Sequence, residues 1–120
     1  SCINSLLENK QPHIYGDGEQ TRDFVFIDDI ITANINACKS DFNGVVNVAS
    51  GESRSINQLY EIIKTNLRSD IEPKYLRERV GDIKHSIADV SNMDKINLKI
   101  DSDKFYDQLD STISWFKVEI

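Results

Sequence analysis

The sequence predicts an α/β fold in which short strands alternate with amphipathic helices. Three observations carry that expectation. Two β-rich apolar runs, FVFI at 24–27 and GVVNVAS at 44–50, have the pattern of strands buried on both faces. Around them, apolar residues recur at i, i+3 and i+4, the spacing of one helix face. The resulting order is strand, helix, strand, helix, strand, helix, helix, which is the α/β class.

The elements follow in chain order. SCINSLLENK reads as the last turns of a helix, with Ile3, Leu6 and Leu7 on one side. A helix represented only by its tail is expected of a chain cut from something longer. After FVFI, Asp28 or Asp29 offers an N-cap. Ile27, Ile30, Ile31, Asn34, Ile35 and Cys38 then share a helical face, giving an amphipathic helix over 29–39 with Cys38 in the core. Asn43-Gly44 marks a turn before GVVNVAS, and Gly51 ends that strand. Ser55-Ile56-Asn57-Gln58 is a capping box, followed by a helix with Ile56, Leu59, Tyr60, Ile63 and Leu67 on one face. Residues 71–76 form an extended segment that Pro73 confines to an edge or an irregular strand. Ser91 to Asp94 repeats the capping logic before a short helix. Phe105, Leu109, Ile113 and Phe116 stripe a final helix, with Trp115 beside them.

At 120 residues the chain can bury a real core, roughly two thirds of its unfolded surface. No apolar run approaches the ~20 residues of a membrane span, and the first ten residues lack a signal-peptide core. With only Cys2 and Cys38 and no export signal, the thiols are expected to be reduced and the protein cytoplasmic. Fourteen basic against twenty acidic residues give a net charge of −6, which argues against a nucleic-acid surface. An acidic protein that binds a polyanion must instead focus its few cations in one cleft.

The stretch IYGDGEQTRDFVFIDDI is where such focusing is expected. Gly16 and Gly18 permit backbone angles closed to other residues, so the chain can turn sharply and approach a ligand. Arg22 follows, and its planar five-donor guanidinium suits bidentate contact with phosphate. The alternative is a surface ion pair with Asp23 or Asp28, of little energetic value. Arg79-Val80-Gly81-Asp82 is a second element of similar build. Two arginines from two loops would neutralise a diphosphate from both sides, and an ionised Asp82 would accept hydrogen bonds from sugar hydroxyls. His13 and His85 lie far apart, without neighbouring ligands at metal spacing, so no metal site is expected. Asp17, Asp28 and Asp29 read as turn and cap residues.

Taken in order, IYGDGEQTRDFVFIDDI, VVNVASGESRSINQLYEII, RVGDIKHSIADVSN and LDSTISWF resemble the C-terminal portion of NAD-dependent sugar-nucleotide epimerases and dehydratases. These are extended short-chain dehydrogenases, of which UDP-glucose 4-epimerase is the best-known type. The resemblance runs from about Leu6 to Phe116 and implies an NAD-binding N-terminal Rossmann domain with a smaller C-terminal substrate lobe. It implies that Arg22 and Arg79 contact the substrate diphosphate and that Asp82 lies near the ribose or phosphate. It also implies that His13 to Tyr15 lies against the base, largely through backbone, and that Phe24 sits beside the diphosphate. Val80 stands where a proline is frequent, at a cost in loop stiffness and no loss of a ligand group.

Two family features are missing from the sequence. No Gly-x-x-Gly-x-x-Gly follows a leading strand, so no element cradles a dinucleotide. The one Tyr-x-x-x-Lys, Tyr60 to Lys64, follows the arginine motif, whereas the family's catalytic pair precedes it, and Tyr60 fits the apolar stripe of its helix. Residues 1–120 are therefore expected to form a single substrate-binding domain of a longer enzyme, with the Rossmann core absent, no catalytic residue of its own and NAD bound only by the parent. In that parent the resemblance implies oxidation at the sugar C4, turning of the 4-keto sugar and return of hydride to its other face. The isolated lobe is expected to be inactive, to bind UDP-sugar weakly and to self-associate through surface meant for the missing domain. A 4,6-dehydratase or decarboxylase lobe, a non-catalytic nucleotide-sugar-binding domain and a plain α/β interaction module remain alternatives.

Overall fold

The computed structural model describes residues 1–119. Helix α1 (Cys2–Leu7) leads into strand β1 (His13–Tyr15), a glycine turn and strand β2 (Thr21–Arg22). Helix α2 (Ile27–Lys39), strand β3 (Arg54–Ser55), helix α3 (Ile56–Asn66) and strand β4 (Lys74–Leu76) follow. Two 3-10 turns, Met93–Ile96 and Ser102–Lys104, precede helix α4 (Phe105–Glu119). β1 pairs in parallel with β4, setting His13 opposite Lys74 and Tyr15 opposite Leu76. β2 pairs antiparallel with β3, setting Thr21 opposite Ser55 and Arg22 opposite Arg54. The α/β class holds, and the strands of the described residues form these two small ladders.

The main core is built as the spacing requires. Ile3 and Leu6 of α1, Ile14 of β1, Tyr60 and Ile63 of α3 and the fully enclosed Ile113 of α4 pack together. Leu109 and Phe116 join from the same stripe of α4, while Trp115 stays exposed. The capping box forms as expected: the Ser55 hydroxyl accepts from the Gln58 amide, and the Gln58 side chain accepts from the Ser55 amide. Tyr60 is buried and donates its hydroxyl to the Ile71 carbonyl at 2.7 Å. Lys64 pairs with Glu72 and Glu61. The Tyr-x-x-x-Lys spacing is therefore occupied by packing and a surface ion pair.

Several expected elements differ. FVFI is not a strand: Phe24, Val25 and Phe26 run without a ladder partner, and Ile27 already begins α2. GVVNVAS is likewise unpaired. Val46 and Val48 lean on a second small core of Ala33, Met93, Ile96 and Leu98, while Val45 is exposed. The physical reason is common to both: a strand needs a neighbour for its backbone N–H and C=O groups, and the described residues supply none. Asp28 and Asp29 do not cap α2. The cap position is Phe26, and both carboxylates sit in the first turn, where the helix dipole favours them. Cys38 is exposed rather than core, because α2 buries Ala33 and turns Ile27, Ile31 and Ile35 outward. Before the first 3-10 turn no side chain caps the helix; Asp89 instead accepts from the Ser91 amide, which holds its carboxyl below the usual range. Among the described residues no helix is long and apolar enough to cross a membrane.

Candidate functional site

The site is assembled by the turn between β1 and β2. Gly16, at φ +85°, extends the β1–β4 ladder by donating its amide to the Leu76 carbonyl. Asp17 accepts from the Glu19 amide at 2.9 Å, closing the loop tip. Gln20 reaches back and donates to the Tyr15 carbonyl at 2.8 Å. Gly18, at φ +76°, lies so close to α3 that an added Cβ would stand 2.0 Å from Asn57 Oδ1. This turn leaves Tyr15 at one end and Arg22 at the other.

The second element is drawn in by β2. Thr21 donates its amide to the Lys84 carbonyl and accepts from the Ser86 amide, and its hydroxyl meets His85 Nδ1 at 2.9 Å. Residues 84–86 are thereby laid along β2, which swings the Arg79–Asp82 loop across Arg22. Arg22 donates one Nη to its neighbour's carbonyl at Thr21 and the other to Asp82 Oδ1 at 2.8 Å. The Arg79 guanidinium lies over the Tyr15 ring, 3.9 Å from its centre.

His13, Tyr15, Arg22, Arg79 and Asp82 line one hollow of about 510 Å³, together with Gln20 and residues of α1. Two guanidinium groups thus face one concavity in an otherwise acidic chain, an arrangement suited to a doubly charged anion. Tyr15 adds a flat apolar surface, and Asp82 an acceptor at the rim. Phe24 is not brought into this hollow. It lines an adjoining apolar one of about 330 Å³ with Val25, Phe26, Leu59 and Phe105. Ser1, Cys2 and Ile56 form walls of both hollows, and burial pushes the Cys2 thiol above its ordinary value.

The ion-pair partner of Arg22 is Asp82, not Asp23 or Asp28. Asp23 does something the sequence reading missed. Its carboxylate accepts from the Ser50 amide at 3.0 Å, the Ser50 hydroxyl at 2.7 Å and the Gly51 amide at 2.9 Å. It pins the end of the VVNVAS segment beside the backbone that joins Arg22 to Phe24. Cys2 and Gln20 were also missed as wall residues; the GDGEQTR spacing was the one available signal for Gln20.

Among the described residues, the N-termini of α2 and α3 do not form the cradle that a dinucleotide cofactor uses. Such a group needs a glycine turn opening directly onto a free helix N-terminus. Here the glycine turn opens onto β2, the N-terminus of α3 is closed by its capping box, and that of α2 carries two carboxylates. Nor do the described residues hold three His, Cys, Asp or Glu side chains grouped for a metal ion.

Comparison with known proteins gives a consistent result. The family model described as GDP-mannose 4,6 dehydratase matches residues 1–113. A putative UDP-glucose 4-epimerase of Methanocaldococcus jannaschii is 32% identical over 115 residues, which is 96% of this chain and 37% of that protein. The structure of UDP-N-acetylglucosamine 4-epimerase from Methanobrevibacter ruminantium, in complex with UDP-N-acetylmuramic acid, superposes with a TM-score of 0.97 at 55% identity, covering 99% of this chain and 38% of that one. The structure of UDP-glucuronic acid 4-epimerase from Bacillus cereus, in complex with UDP-glucuronic acid and NAD, gives 0.89 at 27% identity, covering 99% and 39%. The chain spans less than two fifths of the length of these proteins.

Proposed function

Because the chain belongs to the GDP-mannose 4,6-dehydratase family of extended short-chain dehydrogenases, we propose that it is the lobe that grips the nucleoside diphosphate of a UDP-sugar in an NAD-dependent 4-epimerase. The observation that carries this reading is the convergence of Arg22, Arg79, Tyr15 and Asp82 on one hollow. Arg22 and Arg79 hold the diphosphate, β1 and the Tyr15 ring lie against the base, and Asp82 accepts from ribose hydroxyls. Phe24, in the adjoining apolar hollow, faces the side on which the sugar extends. UDP rather than another nucleotide is favoured by the three similar proteins described above, whose names are those of UDP-sugar 4-epimerases.

In this role the lobe supplies binding energy remote from the reacting carbon. A grip on the diphosphate lets the sugar turn while the nucleotide stays fixed, so a keto intermediate is retained. The redox chemistry is NAD's, and the parts that hold it belong to a longer parent. The lobe by itself is inactive. The second reading, a 4,6-dehydratase lobe, is supported by the description of the family model itself and would use the same diphosphate grip.

The outward-facing Ile27, Ile31 and Ile35 of α2 and the unpaired FVFI and VVNV segments belong, on this reading, against the rest of the parent. The radius of gyration of 16.5 Å supports it, being larger than the ~14 Å of a compact domain of this length. Calorimetric titration of the chain with UDP, before and after Arg22→Ala, tests the proposal. Loss of affinity is expected, and unchanged affinity would remove the role assigned to Arg22.

A further inference from the structure

We propose that Asn57, which lies outside the arginine-lined hollow, is the positioning residue that sets its shape; this rests on the nucleotide-binding reading above. Asn57 sits in the first turn of α3 and is half-buried. Its side chain makes three hydrogen bonds to two segments, the turn and β4. Nδ2 donates to the Asp17 carbonyl at 3.0 Å and to Glu19 Oε1 at 2.6 Å. Oδ1 accepts from the Tyr75 hydroxyl at 2.8 Å. The backbone acts in the same place: the Asn57 amide donates to the Gly18 carbonyl, and the Ile56 amide to the Gln20 carbonyl.

These contacts close a ring. β1 pairs with β4, β4 carries Tyr75, Tyr75 holds Asn57, and Asn57 holds the turn that returns to β1. Both groups that the turn places in the hollow, Tyr15 before it and Arg22 after it, take their positions from that ring. Gly18 has no room for a side chain because Asn57 fills the space. The amide group is specifically required: the site needs one acceptor toward Tyr75 and two donations toward oxygens of the turn, which a primary amide provides and a carboxylate does not.

Asn57→Asp exploits that requirement. It keeps the acceptor for Tyr75 but points a second carboxylate oxygen at Glu19 and at the Asp17 carbonyl. The charged and titratable groups facing this point are Asp17 and Glu19 on the turn, Tyr75 on β4, Glu61 on α3, Tyr106 on α4 and the Glu52–Arg54 pair; Glu19, Glu61, Tyr106 and that pair line one polar hollow with Asn57. Arg54 is the one cation among them. Two carboxylates in contact resist being ionised together, so the pair takes up a proton more readily than either carboxylate alone. Once protonated, the pair regains a donor between helix and turn.

The test uses the 120-residue chain with UDP as probe, comparing Asn57→Ala, Asn57→Asp and Arg22→Ala with the unsubstituted protein at two pH values. Asn57→Ala is expected to bind UDP about tenfold more weakly, since only part of the loss of its three side-chain hydrogen bonds is felt at the hollow and the rest falls on stability. Asn57→Asp is expected to bind as weakly near pH 8 and to recover toward the unsubstituted protein near pH 5, with unchanged helical circular dichroism. Should Asn57→Ala fail to fold, the pH comparison on Asn57→Asp decides alone. Native affinity in both Asn57 variants, or an Asn57→Asp deficit equal at the two pH values, overturns the proposal. Native affinity in Arg22→Ala, or no UDP binding by any form, overturns instead the reading on which it rests.

Discussion

Arg22 and Asp82 stand sixty positions apart and meet at 2.8 Å, each with about a third of its side chain open to solvent. That exposure separates two roles. An ion pair with this much solvent access contributes at most ~1 kcal/mol to folding. A guanidinium hydrogen-bonded to a diphosphate contributes ~1.5–3 kcal/mol to binding. Arg22→Ala is therefore expected to lower UDP affinity by more than it lowers stability, measured by calorimetry and by urea denaturation on the same sample. Arg22→Lys keeps the charge but loses the planar fork, and is expected to recover only part of the affinity. Asp82→Ala should weaken UDP, which has a ribose, without weakening pyrophosphate, which has none. Equal losses for both ligands would remove the ribose role of Asp82.

Two glycines of the site differ in what surrounds them, and the difference is measurable. Gly18 and Gly81 both hold positive φ, +76° and +83°. An added methyl at Gly81 meets nothing within 4 Å, whereas at Gly18 it strikes the Asn57 side chain. Gly81→Ala is expected to cost only the backbone strain, about 1–2 kcal/mol. Gly18→Ala adds a steric clash and should cost about 1–3 kcal/mol more. Urea midpoints for the two variants check the order. Equal costs would mean that the turn does not press on α3.

Much of this was legible in the sequence because the signals were local. The capping box at Ser55 and Gln58 states its own geometry, and the stripe through Phe105, Leu109 and Ile113 fixes the buried face of α4. The glycine turn and the Arg79–Asp82 loop stood out by residue type, and the fold brings Tyr15, Arg22, Arg79 and Asp82 to one hollow. What failed were strand pairing and the cover of α2, which depend on a neighbour the local pattern does not name. FVFI and VVNV have strand composition, but composition does not supply a pairing partner, and here they remain unpaired. Cys38 shares a helical face with Ile31 and Ile35, yet that face is turned outward. Periodicity identifies a face that wants covering and is silent on what covers it. The Asp23 clamp on Ser50 and Gly51 and the Asn57 ring on the turn are long-range hydrogen bonds with no local pattern.

The buried hydroxyl of Tyr60 gives a pH signature. Burial raises its ionisation above the ordinary tyrosine value, so the folded state holds the proton that the unfolded chain releases near pH 10. Below that pH both states are neutral and stability is unaffected. As pH rises past about 10 the unfolded state ionises first, and stability falls with a slope this residue contributes to. Tyr60→Phe should remove that part of the alkaline slope and cost about 0.5–1.5 kcal/mol at neutral pH through the lost bond to Ile71. UDP affinity should not change. A large loss of binding in Tyr60→Phe would contradict its assignment to the core.

The outward face of α2 predicts association. Ile27, Ile31 and Ile35 recur every four residues and are 61%, 49% and 49% exposed. Covering each gains about 1 kcal/mol at ~25 cal/mol per Å² of apolar surface, and docking two bodies costs several kcal/mol in lost freedom. Three isoleucines alone therefore give weak pairing, and the unpaired edges of FVFI and VVNV add backbone bonds to it. The weight-average mass from sedimentation or light scattering is expected to rise above 13.7 kDa as concentration increases. Ile31→Glu with Ile35→Glu places two like charges on the face of a chain already at −6, and should hold the protein monomeric while leaving UDP binding intact, because the arginine-lined hollow lies elsewhere. A monomer at every concentration without the substitutions would show that this face is solvated as it stands. Association that survives both glutamates would assign it to another surface.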